Sequence, residues 1–136
     1  MFGRSVISYD VDAVVADMVK LSQQYGLNAF RIMDDTFILN HGRVIEFCKR
    51  VAPYGWRMSC LTHVKTVKLK ILQEMKRAGF EFMAVGAESG NAEVLSLAKK
   101  DQTKEEIINA VARINEAGIK AEVLFVIGLP GETVSS

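Results

Sequence analysis

Apolar residues recur along this chain with two periods, and the switches between them divide it into alternating helices and strands. Val11, Val14, Val15, Met18 and Val19 stand at i, i+3, i+4, i+7 and i+8, one stripe of a helix. Asp10 can cap that helix and Gly26 can end it. Residues 30–33 then read as a strand. Val44, Ile45, Phe47, Cys48 and Val51 mark a second helix, stopped by Pro53, and a strand over residues 56–61 follows. Thr66 is placed to cap a third helix with Val67, Ile71, Leu72, Met75 and Ala78 inward and Gly79 as its stop. The run Phe-Met-Ala-Val-Gly-Ala at 82–87 is apolar at both parities, the pattern of a strand buried on both faces. It leads straight into Glu88-Ser89-Gly90. A short helix is predicted over residues 92–99. Thr103 and Glu106 then form a Thr-x-x-Glu capping box for a helix bearing Ile107, Ile108, Val111 and Ile114. Gly118 ends it, and residues 121–127 form the last strand. Residues 1–8 carry no clear period.

Three junctions repeat one design: Gly26-Leu27-Asn28, Gly79-Phe80-Glu81 and Gly118-Ile119-Lys120. Each is a helix-ending glycine, an apolar residue, a polar one and then a strand. Strands recur every ~25–40 residues, the spacing a crossover helix requires. Right-handed crossovers predict four adjacent parallel strands in chain order. The fold class is therefore α/β, a partial parallel (β/α) barrel of about four strands. The first helix has no strand before it, and the last strand runs into a Gly-Leu-Pro-Gly-Glu-Thr turn whose helix does not arrive. The whole chain, 1–136, is expected to be a segment of a larger barrel, with outer strands that are bare edges able to self-associate.

Composition narrows the reading without deciding it. About half the residues are apolar and a quarter charged, ordinary for a globular domain. A net charge of +1 gives no sign of nucleic acid as a partner. Basic residues cluster between Lys65 and Arg77, on one predicted helix, and read as a solvated face. Cys48 and Cys60 lack metal spacing and are expected to be buried, reduced thiols. There is no bilayer-length apolar run and no signal-peptide pattern, so no membrane partner is expected and the default compartment is cytoplasmic.

Chemistry should gather where four strand tips converge on one rim, the place ligands bind in α/β folds. The tips are Asp34-Asp35-Thr36-Phe37, Thr62-His63, Gly86-Ala87-Glu88-Ser89-Gly90 and Gly128-Leu129-Pro130-Gly131-Glu132. Carboxylates there suit an ammonium group or ribose hydroxyls. Glycine turns bring the backbone close to a flat ring or a carboxylate. Blander readings compete at each position. Asp34 and Asp35 suit a turn, Glu88 a helix cap, and Lys99 and Lys100 a solvated helix end. His63 suits a hydrogen-bonded loop. The Gly-Leu-Pro-Gly turn resists such a reading, because two glycines around a proline fix an unusual backbone.

Four stretches taken together resemble a known family. They are Phe-Arg-Ile-Met-Asp-Asp-Thr-Phe at 30–37, Val-Gly-Ala-Glu-Ser-Gly-Asn at 85–91, Lys-Lys-Asp-Gln-Thr at 99–103 and Phe-Val-Ile-Gly-Leu-Pro-Gly-Glu-Thr at 125–133. They look like the core of a radical S-adenosylmethionine (SAM) enzyme, of the kind often joined to a cobalamin-binding domain. The resemblance implies a partial (β/α)6 barrel holding SAM against a [4Fe-4S] cluster. Carried over, Asp34, Asp35, Thr36 and Phe37 take the place of the motif that binds the methionine amino group. Glu88, with Ser89 beside it, takes the ribose position, and Lys100 matches the residue that meets the methionine carboxylate. Val126, Gly128, Pro130 and Glu132 fall in the region near adenine, in a loose register: Leu124 stands where a glycine is usual, and Glu132 is one place late. His63 would face the substrate, as an unassigned catalytic candidate.

One departure matters most. The family's chemistry needs a Cys-x-x-x-Cys-x-x-Cys loop, and this sequence has none. The resemblance thus implies the SAM-binding portion of a parent enzyme that cleaves SAM reductively to a 5′-deoxyadenosyl radical, drawing on an external electron donor and acting on an unknown substrate. The chain alone is expected to hold no metal and to be inactive. Two other classes stay open: a non-enzymatic nucleotide-binding α/β domain, and a structural half-barrel completed by a partner chain.

Overall fold

The computed structural model describes residues 8–133. Helix α1, Val11–Tyr25, starts where the Asp10 carboxylate accepts the Ala13 N–H at 3.0 Å and ends at Gly26, which is left-handed. Strand β1 (Ala29–Ile32), helix α2 (His41–Val51), strand β2 (Arg57–Thr62) and helix α3 (Leu69–Arg77) follow. Strand β3 is Phe80–Glu88 and α4 is Ala92–Leu97. Helix α5, Lys104–Glu116, carries the full Thr103–Glu106 capping box, and β4 is Lys120–Phe125. Single 3-10 turns at Phe37–Leu39, Ala52–Tyr54 and Val64–Thr66 join the pieces.

All four strands form one parallel sheet in the order β1-β2-β3-β4. This is the α/β arrangement the glycine-ended repeats predict, and the barrel is not closed. The helices line one face. There Met58, Cys60, Met83, Val85 and Ala87 meet Val44, Phe47, Leu72, Met75 and Ile114, all buried. Burying such side chains is the main force holding helices on the sheet. The other face carries Arg31, Ser59, Phe82, Lys120 and Glu122, with Arg31 and Glu122 4.0 Å apart and half exposed. Lys120 lies 5.5 Å above the Phe82 ring.

Several boundaries differ from the sequence reading, for local reasons. Thr66 does not cap α3. Its hydroxyl donates to His63 O at 2.7 Å inside the 3-10 turn, and Lys68 stands at the cap position. The basic cluster is therefore split: Lys65 lies in that turn rather than on α3, still exposed to solvent, and reaches Asp101 at 2.8 Å. Strand β3 is buried on both sides only in part, for Phe82 is 41% exposed. It starts at Phe80 because Gly79 O accepts the Met58 N–H, extending the pairing with β2 backwards. Strand β4 stops at Phe125, short of Ile127. Helix α4 stops at Leu97, with Lys99 left-handed at φ 54°. Residues 1–7, within the ambiguous start, and residues 134–136 lie outside the described residues.

Candidate functional site

Parallel pairing in sequence order puts the four C-terminal strand ends on one rim. At the tip of β1, Asp34 and Asp35 are exposed. Among the described residues neither forms a hydrogen bond or ion pair. They line a hollow of about 510 Å³ together with Tyr9, Asn40, Arg43 and the apolar Val14, Met18, Ile32 and Phe47. Arg43 donates from Nη2 to Tyr9 O at 3.1 Å, while its Nε is buried without a partner. Thr36 leads into the 3-10 turn, and Phe37 is buried, stacked on Phe80 and edge-on to Phe47. Within the Asp-Asp-Thr-Phe stretch, then, two carboxylates face the hollow and the phenyl ring anchors the tip in the core.

The tip of β3 is built differently. Its ladder with β4 slips between Gly86, which pairs with Leu124, and Glu88, which pairs with Phe125. Such a bulge re-aims side chains. Glu88 takes φ 63°, a left-handed value uncommon for a residue with a Cβ. Its carboxylate folds back over Gly86, where an added Cβ would stand 2.9 Å from Oε1. The same oxygen accepts from Lys100 Nζ at 2.9 Å. Gln102, buried, donates from Nε2 to Gly86 O at 3.1 Å and Ala87 O at 2.9 Å. The Ser89 hydroxyl accepts the Asn91 N–H at 3.1 Å, and the Asn91 side chain caps α4. The cap is Asn91, so Glu88 is free of the capping task the blander reading gives it.

At the end of β4, the Val126 N–H donates to Glu88 O at 2.9 Å, tying the third and fourth tips together. The turn then closes on itself. Glu132 Oε2 accepts the N–H groups of Leu129, at 3.1 Å, and Gly128. Gly128 and Gly131 are left-handed, at φ 89° and 82°, and Pro130 is exposed between them. The glutamate thus fixes the turn, and what the turn offers outward is backbone together with Val126 and Ile127, the latter 93% exposed.

His63 sits at the tip of β2. Its Nδ1 accepts the Lys65 N–H at 3.2 Å, which leaves the ring proton on Nε2. Nearby Lys65 and Asp101 pair, raising the lysine's proton affinity and lowering the carboxyl's.

The two cysteines are buried in the helix-side core. Burial pushes each thiol up to about 12, helped for Cys48 by Glu74 and for Cys60 by Cys48 and Asp34. Cluster ligands must be thiolates. Two buried neutral thiols do not fit an iron–sulfur cluster, and no group of three metal-ligating side chains occurs among the described residues. The donor set at the rim is instead the unpaired carboxylates of Asp34 and Asp35, the cations Arg43 and Lys100, and the exposed backbone after β4. No helix among the described residues is long and apolar enough to cross a membrane.

Sequence reasoning about single residues missed three contributors: Gly86, whose missing Cβ admits the Glu88 carboxylate, Gln102 and Arg43. Gln102 is legible in sequence only as part of the Lys-Lys-Asp-Gln-Thr stretch, with no task of its own.

Comparison with known proteins places these features in company. Residues 2–136 match the family model described as the radical SAM superfamily. A protein of Pyrococcus horikoshii named an uncharacterized methyltransferase is 31% identical over 134 residues, 97% of this chain and 29% of that protein. An anaerobic magnesium-protoporphyrin IX monomethyl ester cyclase of Cereibacter sphaeroides is 29% identical, covering 97% of this chain and 22% of its own. The chain thus spans less than a third of the length of these curated relatives. Among solved structures, the radical SAM methyltransferase TsrM from Kitasatospora setae, with cobalamin and a [4Fe-4S] cluster bound, superposes with a TM-score of 0.78 at 21% identity, over 93% of this chain and 27% of that one. Coproporphyrinogen III oxidase from Escherichia coli gives 0.72 at 20% identity, over 90% and 31%. These likenesses carry the fold.

Proposed function

The chain belongs to the radical S-adenosylmethionine superfamily, and from that premise we propose that its rim is the nucleoside- and methionine-binding side of a SAM site. The observation that carries this reading is the bulged tip of β3. A left-handed Glu88, held by Lys100 and roofed over Gly86, sits one hydrogen bond away from the backbone just past β4, at Val126. Strained backbone of this kind persists where surrounding structure over-determines it, and it gathers at binding sites.

Each neighbouring group has a task in this reading. Glu88 accepts from ribose hydroxyls. Asp34 and Asp35, unpaired at the next tip but one, attract the methionine ammonium, with Thr36 and the backbone of Phe37 beside them. Lys100 has three donor hydrogens and, among the described residues, the one partner Glu88, so it can hold Glu88 and a ligand carboxylate together. The open backbone of Val126, Gly128 and Pro130 lies along adenine, shaped by Glu132. Ser89 fixes the turn into α4, and His63 faces the substrate with an Nε2 proton. When bound next to a [4Fe-4S] cluster, SAM supplies a 5′-deoxyadenosyl radical. This chain's residues bind, orient and shield, and the cofactor carries the chemistry. The cluster ligands, and any cobalamin, belong to a larger parent protein that draws on an external electron donor and acts on its substrate in the cytoplasm.

Calorimetric titration tests the reading. SAM should bind the chain, and Glu88→Gln should weaken it by about tenfold, the worth of one charged hydrogen bond. Unchanged affinity in Glu88→Gln would remove Glu88 from the site.

A further inference from the structure

We propose that Gln102 is a positioning residue for nucleoside recognition: its carboxamide holds the bulged end of β3 in the one shape that aims Glu88 across the rim. This rests on the reading of Glu88 as the ribose contact. Where β3 slips past β4, Ala87 drops out of the register, and a carbonyl outside the ladder needs another donor. Ala87 O receives the Ser89 N–H at 2.7 Å and Gln102 Nε2 at 2.9 Å, and Gly86 O receives the second Gln102 hydrogen at 3.1 Å. A primary amide has two N–H donors on one nitrogen, which matches two successive carbonyls.

Gln102 is 7% exposed, and its Oε1 is buried with no partner. Methionine or leucine would fill that space without leaving an acceptor unpaired, which is unfavourable. The position therefore requires the donors. The same short loop supplies Lys100, whose Nζ meets Glu88 Oε1 at 2.9 Å and whose N–H is tied to Leu95 O at 2.9 Å. The loop thus grips the tip twice, its backbone through Gln102 and its carboxylate through Lys100. Oε2 of Glu88 has no protein partner among the described residues and is the atom left for a hydroxyl.

The test separates geometry from ligand. 5′-Methylthioadenosine and its 2′,3′-dideoxy counterpart are titrated into the 136-residue chain, and amide exchange is followed at Val126, whose N–H donates to Glu88 O. The chain should prefer the diol by about tenfold. Gln102→Met should bring that preference to within about twofold while leaving the dideoxy affinity in place, and should speed exchange at Val126 by about tenfold without touching Val123. Gln102→His, which restores one donor, should recover part of both. Proportional loss of both ligands, or a Gln102→Met chain that keeps its diol preference, overturns the proposal. A wild-type chain with no diol preference, in which Gln102→Met still loosens Val126, overturns the ribose reading of Glu88 and reduces Gln102 to a structural clamp. If Gln102→Met does not fold, Gln102→His carries the comparison.

Discussion

Nζ of Lys100 lies 2.9 Å from Oε1 of Glu88, so two groups of the proposed SAM site already hold each other. Glu88 is the more enclosed of the two, its side chain 19% exposed against 44% for Lys100. A half-exposed pair adds little to stability. Its worth lies in orientation, since the lysine fixes which carboxylate oxygen is left over.

Replacing the lysine should therefore act on binding and spare the fold. Lys100→Met is expected to lower SAM affinity by about tenfold and 5′-methylthioadenosine affinity by about threefold, because the second ligand lacks the carboxylate. Thermal unfolding should move by no more than a few degrees. Equal losses for the two ligands would confine Lys100 to steering Glu88.

Two glycines separate folding from binding. A Cβ on Gly79 would collide with the Trp56 carbonyl at φ 101°, a clash of backbone with backbone. Gly79→Ala should cost about 2–4 kcal/mol in denaturant unfolding. A Cβ on Gly86 meets only the Glu88 carboxylate, a side chain able to swing away. Gly86→Ala should keep most of the stability and lose SAM affinity by about tenfold.

Glu132 is predicted to act through its own turn. Glu132→Ala leaves the Gly128 and Leu129 N–H groups without their acceptor. Their exchange should accelerate by about tenfold, with a global cost near that of a lost helix cap, about 1 kcal/mol. Protection unchanged at both amides would free the carboxylate for a direct ligand role.

The buried thiols give a pH dependence. Folding raises both from 9.0 to about 12, so between those values the folded chain holds protons the unfolded chain has released. Stability is full below pH 9 and falls as pH rises toward 12, by up to about 1.4 kcal/mol per pH unit for each thiol. Denaturant unfolding of a Cys48→Ala, Cys60→Ala chain should show a flatter decline over that window. The native thiols should also resist a disulfide reagent at pH 8. With iron, sulfide and reductant supplied, the chain alone should assemble no [4Fe-4S] cluster and form no 5′-deoxyadenosine.

The strand order was legible because it depends on coarse signals: glycines 26, 79 and 118 all adopt the left-handed conformation that ends a helix, and each crossover is long enough for a helix. Thr103 and Glu106 were legible as a pair because a capping box is local. What stayed hidden depends on which of several possible partners a polar side chain takes up. Thr66 looks like a cap from its neighbours, and only packing against Thr62 and His63 puts it in a 3-10 turn. Gln102 reads as a polar linker until β3's bulge, sixteen residues earlier, gives its donors two carbonyls. Glu132 looks outward in sequence and turns inward in space because its own turn has two N–H groups to offer.

The most direct measurement is a map of amide shifts in the ¹⁵N-labelled chain on titration with SAM. The account predicts saturable changes gathered at residues 34–37, 86–90, 99–102 and 126–132, all on one rim, with little movement at the opposite strand ends near Arg57 and Lys120. No saturable change, or changes gathered at those opposite ends, would contradict it.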